Sequence, residues 1–330
     1  MSVEFSLLEL ASVRINETPC DSFTHAVAYA KAADALGFKR FWLAEHHNMQ
    51  GIASSATAVL IGHIAGNTQQ LRVGSGGIML PNHSPLIVAE QFGTLASIYG
   101  DRIDLGLGRA PGTDPVTSRA LKRDDSAAEN FAQEVQVIQQ LLQPSAPQQR
   151  LRAVPGEGTQ VPIWILGSSL YSAGLAAQLG LPYSFAGHFA PAYMRAALKR
   201  YRAEFRPSAH LEKPYFMLGL PVIWGETEAQ AIVNSSTGFQ RIVALFRGEP
   251  LWLRPPIDLA QLDWSAGEKQ HVEEFLALAQ IGDELQILDG LQQLRDELAI
   301  DEFMFTIDVY DRDLRIQTLS TLARIKDHLR

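Results

Sequence analysis

The chain has 330 residues, of which 46% are hydrophobic and 19% are charged, and it carries a formal net charge of −8 at pH 7. This composition is typical of a soluble globular enzyme with one large or two ordinary domains. The acidic residues are scattered and no run of Lys and Arg occurs, which argues against nucleic acid and against an anionic membrane surface as partners.

Cys20 is the single cysteine of the chain, so an internal disulfide is excluded. Because no Cys-His cluster surrounds it, the sequence predicts no metal site and favours a reducing compartment. The first ten residues lack the basic start and apolar core of a signal peptide. No segment has the roughly 18 continuous apolar residues that span a bilayer. We therefore expect a cytoplasmic protein with no membrane partner.

Short apolar runs alternate with longer segments of helical period, which is the pattern of a parallel sheet joined by crossover helices. Eight such pairs predict an α/β fold of the (β/α)8 TIM barrel type. Asp21 and Ser84 are the expected N-caps of the first and third helices. The predicted strands cover residues 3–8, 40–44, 71–80, 103–107, 162–166, 183–185, 216–224 and 302–307, and the helices that follow them cover 22–36, 55–66, 84–99, 127–142, 171–179, 191–205, 226–246 and 313–329.

The stretch 247–282 departs from this repeat, because three prolines and two tryptophans precede a predicted helix at 268–279. We interpret it as an insertion within a single domain that spans residues 1–330, and a further helix at 283–298 leads into the last strand. Insertions in such barrels favour the loops at the C-terminal ends of the strands, where substrates bind. The insertion is therefore a candidate lid, with a purely structural excursion as the alternative.

The second predicted strand delivers Glu45, His46 and His47 into a polar turn. Barrel enzymes keep their chemistry at the C-terminal ends of the strands. The unperturbed pKa of histidine lies closest to neutrality, so a histidine there can move protons without extreme retuning. Glu45 and His46 are therefore candidate catalytic residues, and a solvated turn is the alternative.

The third predicted strand is interrupted by Gly74, Gly76 and Gly77. Glycines in a strand let a flat ligand approach the backbone closely, or they permit a bulge. A tight bend without a ligand explains the same pattern.

The fourth strand ends in Gly106, Gly108 and Arg109. The two glycines begin like a dinucleotide fingerprint, but the next glycine, Gly112, comes one position late and Pro111 delays the helix. We therefore reject a Rossmann site. Arg109 is a candidate anion clamp, with a structural salt bridge as the alternative.

The fifth strand turns through Gly167, Ser168 and Ser169 into a helix. The first amides of a helix are unpaired and its N-terminus carries partial positive charge, while serine hydroxyls add donors for a phosphate monoester. A serine N-cap without any ligand is the alternative.

Together these residues resemble the bacterial luciferase-like family of flavin-dependent monooxygenases, whose members are (β/α)8 barrels that use FMN. The resemblance covers most of the chain except the insertion, and it implies no particular substrate. Its motifs are WLAEHH at 42–47, LRVGSGGIMLP at 71–81, GLGR at 106–109 and GSS at 167–169.

The resemblance assigns roles to individual positions. It implies that His46 is the histidine of the catalytic pocket, with Glu45 as its neighbour on the flavin side. Gly76 and Gly77 match the place where relatives press backbone against the isoalloxazine ring, often through a non-proline cis peptide. The positions that match residues near the flavin phosphate are Arg109, Arg119, Ser168, Ser169 and Ser172, and Gly167 is a further cofactor-binding position.

The activity implied is that of a two-component monooxygenase. Reduced FMN from a separate NAD(P)H:flavin reductase reacts with O2 to a C4a-peroxyflavin, which inserts one oxygen atom into a small organic substrate. A homodimer through the helices after the early strands is also implied. Light-emitting relatives carry a reactive cysteine where this chain has Gly108, so bioluminescence is not expected. A deazaflavin (F420)-dependent oxidoreductase and a non-catalytic flavin carrier are the alternatives.

Overall fold

A closed barrel of parallel strands forms the centre of the protein. The computed structural model describes residues 3–110, 114–122 and 128–329. In the described part of the chain the strands are β1 (Glu4–Glu9), β2 (Arg40–Leu43), β3 (Arg72–Ser75), β4 (Ile78–Met79), β5 (Ile103–Gly108), β6 (Ile163–Gly167), β7 (Tyr183–Phe185), β8 (Phe216–Trp224), β9 (Gln280–Gly282) and β10 (Glu302–Thr306). Neighbours pair in the order β10-β1-β2-β3-β5-β6-β7-β8, and β8 pairs with β10 to close the ring. The predicted (β/α)8 barrel is confirmed.

The helices follow the strands as predicted, with shifted ends. They are α1 (Pro19–Ala35), α2 (Thr57–Ala65), α3 (Pro85–Tyr99), α4 (Pro115–Ala120), α5 (Phe131–Leu142), α6 (Leu170–Leu179), α7 (Met194–Glu204), α8 (Glu228–Arg247), α9 (Ala266–Phe275), α10 (Glu284–Leu298) and α11 (Arg312–His328), with 3-10 turns at Leu80–Asn82, Gly100–Arg102, Pro191–Tyr193 and Leu259–Gln261. The short α4 was not predicted. The predicted helix start at 127, and Pro111 and Gly112 of the rejected fingerprint, lie outside the described residues. No described helix is long and apolar enough to cross a membrane.

The N-cap predicted at Asp21 is wrong. The cap of α1 is Thr18, whose hydroxyl accepts from the Asp21 amide at 3.3 Å, while the Asp21 carboxylate accepts from the Thr18 amide at 2.8 Å. This is a capping box, so the aspartate lies three residues inside the helix. Ser84 does occupy the N-cap position of α3, but its side chain makes no capping bond.

Tryptophans and glycines oppose one another inside the barrel. Trp42 lies in register with Gly74 of the next strand, and Trp164 lies in register with Gly106. A Cβ added at Gly74 would come within 2.9 Å of Trp42 Nε1 and even closer to the backbone of β5. Because the interior of an eight-stranded barrel is only wide enough for packed side chains, two indoles fit only where neighbouring strands carry none.

Charged side chains fill the N-terminal end of the barrel, where the strands begin. Asp104 and Glu302 are fully buried. Arg40 lies 2.6 Å from Asp104 and 3.0 Å from Glu302, and Arg72 lies 2.6 Å from Asp104. Burial would raise the pKa of Asp104, but the two guanidinium groups hold it below its usual value. We call this set the barrel floor; it joins β2, β3, β5 and β10 through two positive and two negative charges.

Further polar side chains complete the hydrogen bonding of the barrel floor. The Trp42 indole N–H donates to Asp104 at 3.2 Å, and the Tyr215 hydroxyl donates to Glu302 at 2.9 Å. The Ser6 hydroxyl also donates to Glu302. Both carboxylates are thereby satisfied, as buried charges require.

The insertion runs along the loops that follow β1 and β2. Leu253 exchanges backbone hydrogen bonds with Val13 and Ile15 at 3.0 and 2.9 Å, and the Leu251 amide donates to the Gln50 carbonyl at 2.7 Å. The helix predicted at 268–279 is α9, and it begins at a capping box on Ser265. A groove of about 610 Å³, lined by Phe239, Trp264, Val272, Leu276 and neighbours, separates parts of α8 and α9. The insertion thus lies at the C-terminal ends of the strands, and its role as a lid stays a prediction.

We expect Asp104→Asn to lower the free energy of unfolding by about 3–5 kcal/mol, because the two arginines would then be left with a single carboxylate. The matched control is Glu284→Gln, which breaks a half-exposed pair with Arg324 and should change the free energy by less than about 1 kcal/mol. Urea unfolding followed by circular dichroism measures both variants. Equal effects in the two variants would contradict the role given to the barrel floor.

Candidate active site

Glu45 joins the turn after β2 to the segment after β4. Its side chain is buried, and Oε1 accepts from Nε2 of His47 at 2.9 Å and from Nε2 of His83 at 2.8 Å. Oε2 accepts from the Met79 amide at 3.1 Å. Burial would raise the pKa of Glu45, but these hydrogen bonds hold it below its usual value. Glu45 is therefore an ionised acceptor that fixes two imidazoles.

The same three side chains have the composition of a metal site. One ligand atom each from Glu45, His47 and His83 lie within 4.8 Å of one another. The two N···O distances are those of charge-assisted hydrogen bonds, so a shared carboxylate accounts for the grouping by itself.

His46 is not among the hydrogen-bond partners of Glu45. Its backbone amide donates to the Ser54 carbonyl at 3.2 Å, while Nδ1 is buried without a hydrogen-bond partner among the described residues. Burial and then the positive charge of Arg241 lower the pKa of His46 to about 4, against an opposing effect of Glu45. The imidazole is therefore neutral near pH 7 and can accept a proton, which suits a base better than an acid.

Four residues that we did not predict are linked to His46, directly or through one another. Nη1 of Arg241, on α8, donates to Ser12 Oγ and to Asp308 Oδ1, both at 2.9 Å. Burial and then the proximity of His46 lower the pKa of His188 to about 4. We call Ser12, His46, His188, Arg241 and Asp308 the mouth cluster. It gathers residues after β1, β2, β7, β8 and β10.

A sequence signal existed for only some of these residues. His188 follows β7 by three positions and Asp308 follows β10 by two, so the rule that led to His46 also applies to them. Arg241 lies in the middle of a 20-residue helix. Nothing in the helical pattern distinguishes it from a solvent-exposed arginine.

The Gly76–Gly77 peptide bond is cis, as the family resemblance implied. A Cβ added at Gly76 would lie 2.6 Å from Leu8 Cδ1, and one at Gly77 would lie 2.8 Å from the Gly106 carbonyl oxygen. Backbone packing inside the barrel therefore already explains glycine at position 77, whereas the end of the Leu8 side chain could shift to admit a larger residue at position 76. Their contact with a flavin ring stays a prediction.

Arg109 follows β5, and its side chain reaches the start of α6, where an anion clamp is expected. Its guanidinium stands 4.2 Å from the centroid of the Tyr171 ring. Ser169 caps the helix by accepting from the Ser172 amide at 3.4 Å, and half-buried Ser168 precedes it. The structure thus brings together an arginine, two serines and a helix N-terminus, which is a donor set suited to phosphate.

Two of the predicted phosphate contacts lie less favourably. The Ser172 hydroxyl is buried, donates to the Ser169 carbonyl at 2.9 Å and contacts the Tyr183 hydroxyl at 3.2 Å. Arg119 is exposed on α4. Asp114, which caps α4, accepts from Asn48 at 3.3 Å and so ties this helix to the turn that carries His46.

The geometry agrees with the relationships found by comparison. The sequence profile described as luciferase-like monooxygenase matches residues 1–301. The chain belongs to this family. It is 45% identical to a luciferase-like monooxygenase of Escherichia coli K12 over 329 residues, covering 99% of this chain and 98% of the relative. The crystal structure of apo-MsnO8 superposes with a TM-score of 0.91 at 32% identity, covering 98% of both chains.

The chain is also similar to one relative over part of its length and to two solved structures at low identity. An N-acetyl-S-alkylcysteine monooxygenase of Bacillus subtilis is 36% identical over 189 residues, which is 56% of this chain and 57% of the relative. Two structures share the fold at lower identity. They are the oxygenating constituent of 3,6-diketocamphane monooxygenase from Pseudomonas putida in complex with FMN (17% identity, TM-score 0.72, 98% of both chains) and an F420-dependent secondary alcohol dehydrogenase (13%, 0.71, 100% of both chains).

We expect the free energy of unfolding to fall as the pH is lowered from about 6.5 towards 4. His46 and His188 have lowered pKa values in the folded protein, so the unfolded chain binds more protons in this window and acid favours unfolding. A shift from about 6.5 to about 4 corresponds to at most about 3 kcal/mol for each histidine.

The measurement is urea unfolding at several pH values, with His188→Asn beside the parent protein. The difference between the two slopes reports His188 together with its effect on neighbouring His46, because the remaining titrating groups cancel. Parallel pH profiles would show that His188 has the same pKa in the folded protein as in the unfolded chain.

Proposed function

We propose that this protein is an FMN-dependent monooxygenase that inserts one atom of O2 into a small organic substrate. The observation that carries the proposal is the half-buried, neutral His46, whose Nδ1 atom is buried and has no partner among the described residues. It lies at the same end of the barrel as the phosphate-suited donors near α6. Family membership supports a flavin-type cofactor at this end.

The donor set fits the phosphate of FMN. Arg109 would supply charge, Ser168 and Ser169 would supply hydroxyl donors, and the first amides of α6 would supply N–H groups. The backbone of Gly76 and Gly77 would lie against the ring. Bound in this way, reduced FMN supplies the reaction with oxygen, which no amino-acid side chain provides.

His46 would accept and return one proton at Nδ1 during oxygen transfer. Glu45 would hold the turn in place by fixing His47 and His83. The insertion would exclude water at the C-terminal ends of the strands, since it is hydrogen-bonded to the loops after β1 and β2. In this proposal Glu45 fixes the turn, His46 carries the proton and the insertion shields the site from water.

A separate NAD(P)H:flavin reductase as the source of reduced FMN, and a homodimer, are part of the same proposal. F420-dependent hydride transfer is the second candidate, because one neighbour with this fold is an F420-dependent dehydrogenase. A thioether is the first substrate to test, because one relative is named for N-acetyl-S-alkylcysteines.

The deciding experiment is anaerobic titration with reduced FMN and reduced F420, followed by admission of oxygen in the presence of a thioether panel. We expect reduced FMN to bind, oxygen to be consumed and labelled oxygen to enter the product. His46→Ala should lower turnover about 100-fold or more while the affinity for reduced FMN stays within about threefold. Exposed His210 provides the control substitution His210→Ala.

Preference for F420 would move the assignment to hydride transfer. Flavin binding without oxygen uptake would identify a carrier.

Arg109→Gln should weaken FMN binding about tenfold or more, because an Arg to phosphate contact is charge-assisted. Riboflavin lacks the phosphate and should bind both proteins equally. Fluorescence quenching of each flavin gives the four dissociation constants. If the substitution weakens riboflavin as much as FMN, Arg109 holds the pocket in shape and does not bind phosphate.

A further inference from the structure

Three buried nitrogen atoms of the mouth cluster have no hydrogen-bond partner among the described residues. They are Nδ1 of His46, Nδ1 of His188 and Nη2 of Arg241. A Cβ added at Gly219 would lie 2.7 Å from Nδ1 of His188, so this atom faces the barrel wall. The other two belong to side chains close enough for the charge of Arg241 to act on His46. Buried polar atoms are nearly always hydrogen-bonded in folded proteins, so this pair points to a ligand.

Arg241 determines what kind of group that ligand carries. Its side chain is only 7% exposed, and the same nitrogen, Nη1, serves both Ser12 and Asp308. Asp308 is 34% exposed and therefore partly hydrated. A ligand atom that accepts from Nη2 therefore contacts the desolvated positive charge of Arg241, while water weakens the competing attraction of Asp308. An anionic oxygen gains more from that position than a neutral one.

The arrangement also places that anion in relation to the proton carrier. Arg241 lies on α8 and His46 follows β2, and the two side chains are near enough for the charge of Arg241 to act on the imidazole. A molecule that contacts both would place its anionic end at the guanidinium and another part beside His46.

We propose that Arg241 binds a carboxylate of the substrate, so that the substrates of this enzyme are small organic acids whose reacting atom lies beside His46. That the bound acid is a substrate rests on the proposed monooxygenase function. The binding of a carboxylate at Arg241 does not depend on it. A bound carboxylate would offset the effect of the Arg241 charge on the imidazole. The proton affinity of His46 should then rise when the acid binds.

The test is calorimetric titration of the full-length protein, with and without oxidised FMN, using a chain-length series of alkylthio carboxylates and their primary amides. The members of each pair have nearly the same shape and differ in charge. We expect the carboxylate to bind at least about tenfold more tightly than its amide. Histidine NMR should show the pKa of His46 rising in the complex.

Arg241→Gln should reduce the preference for the carboxylate to within about twofold, and Arg241→Lys should restore part of it. The matched control is Arg247→Gln on the same helix, where the arginine pairs with Glu268; it should keep the full preference. If Arg241→Gln does not fold, the comparison of acid with amide in the parent protein decides by itself.

Equal affinity for acids and amides, or no binding of any member in either condition, would overturn the assignment. Carboxylate preference together with absence of oxygen uptake on addition of reduced FMN would retain the assignment and remove the monooxygenase. Oxygen uptake without carboxylate preference would do the reverse. The two proposals can therefore fail separately.

Discussion

The barrel floor is the interaction on which the rest of the structure depends. Arg40, Arg72, Asp104 and Glu302 come from strands far apart in the sequence, and their charges balance only when the barrel brings those strand ends together. Removing one member leaves an uncompensated charge inside the barrel. The floor therefore selects one closure of the ring, and the positions of the loops at the other end follow from that closure.

The charged and polar side chains at the two ends of the barrel differ in whether their hydrogen-bonding groups have partners. At the floor each carboxylate is paired and hydrogen-bonded, and Tyr215 and Trp42 complete the set. At the mouth His46 and Arg241 retain buried nitrogen atoms without partners among the described residues. This contrast separates a structural polar network from one shaped for a ligand, because unsatisfied buried groups are unfavourable unless something binds them.

Much of the fold could be predicted because the hydrophobic pattern of each strand and helix is contained in a short stretch of sequence. All eight barrel strands lie where the apolar runs are, and His46 was found because it directly follows a strand. The reason given for the glycines was incomplete. Gly77 is already required by the backbone of β5, and Leu8 packs closely against Gly76, which no local pattern reveals. The Asp21 cap failed for a smaller reason, since a capping box contains two residues that resemble caps.

The sequence alone determined the barrel class and the position of Glu45 and His46 in a turn at the C-terminal ends of the strands. These features depend on hydrophobic periodicity and on residues adjacent in the chain. Only the tertiary structure decided that Arg241 reaches the mouth from the middle of a helix, that His83 shares Glu45 with His47, and that Arg40 lies between two carboxylates. Each of these contacts joins residues that are distant in sequence, and such contacts are set by barrel closure rather than by any local preference.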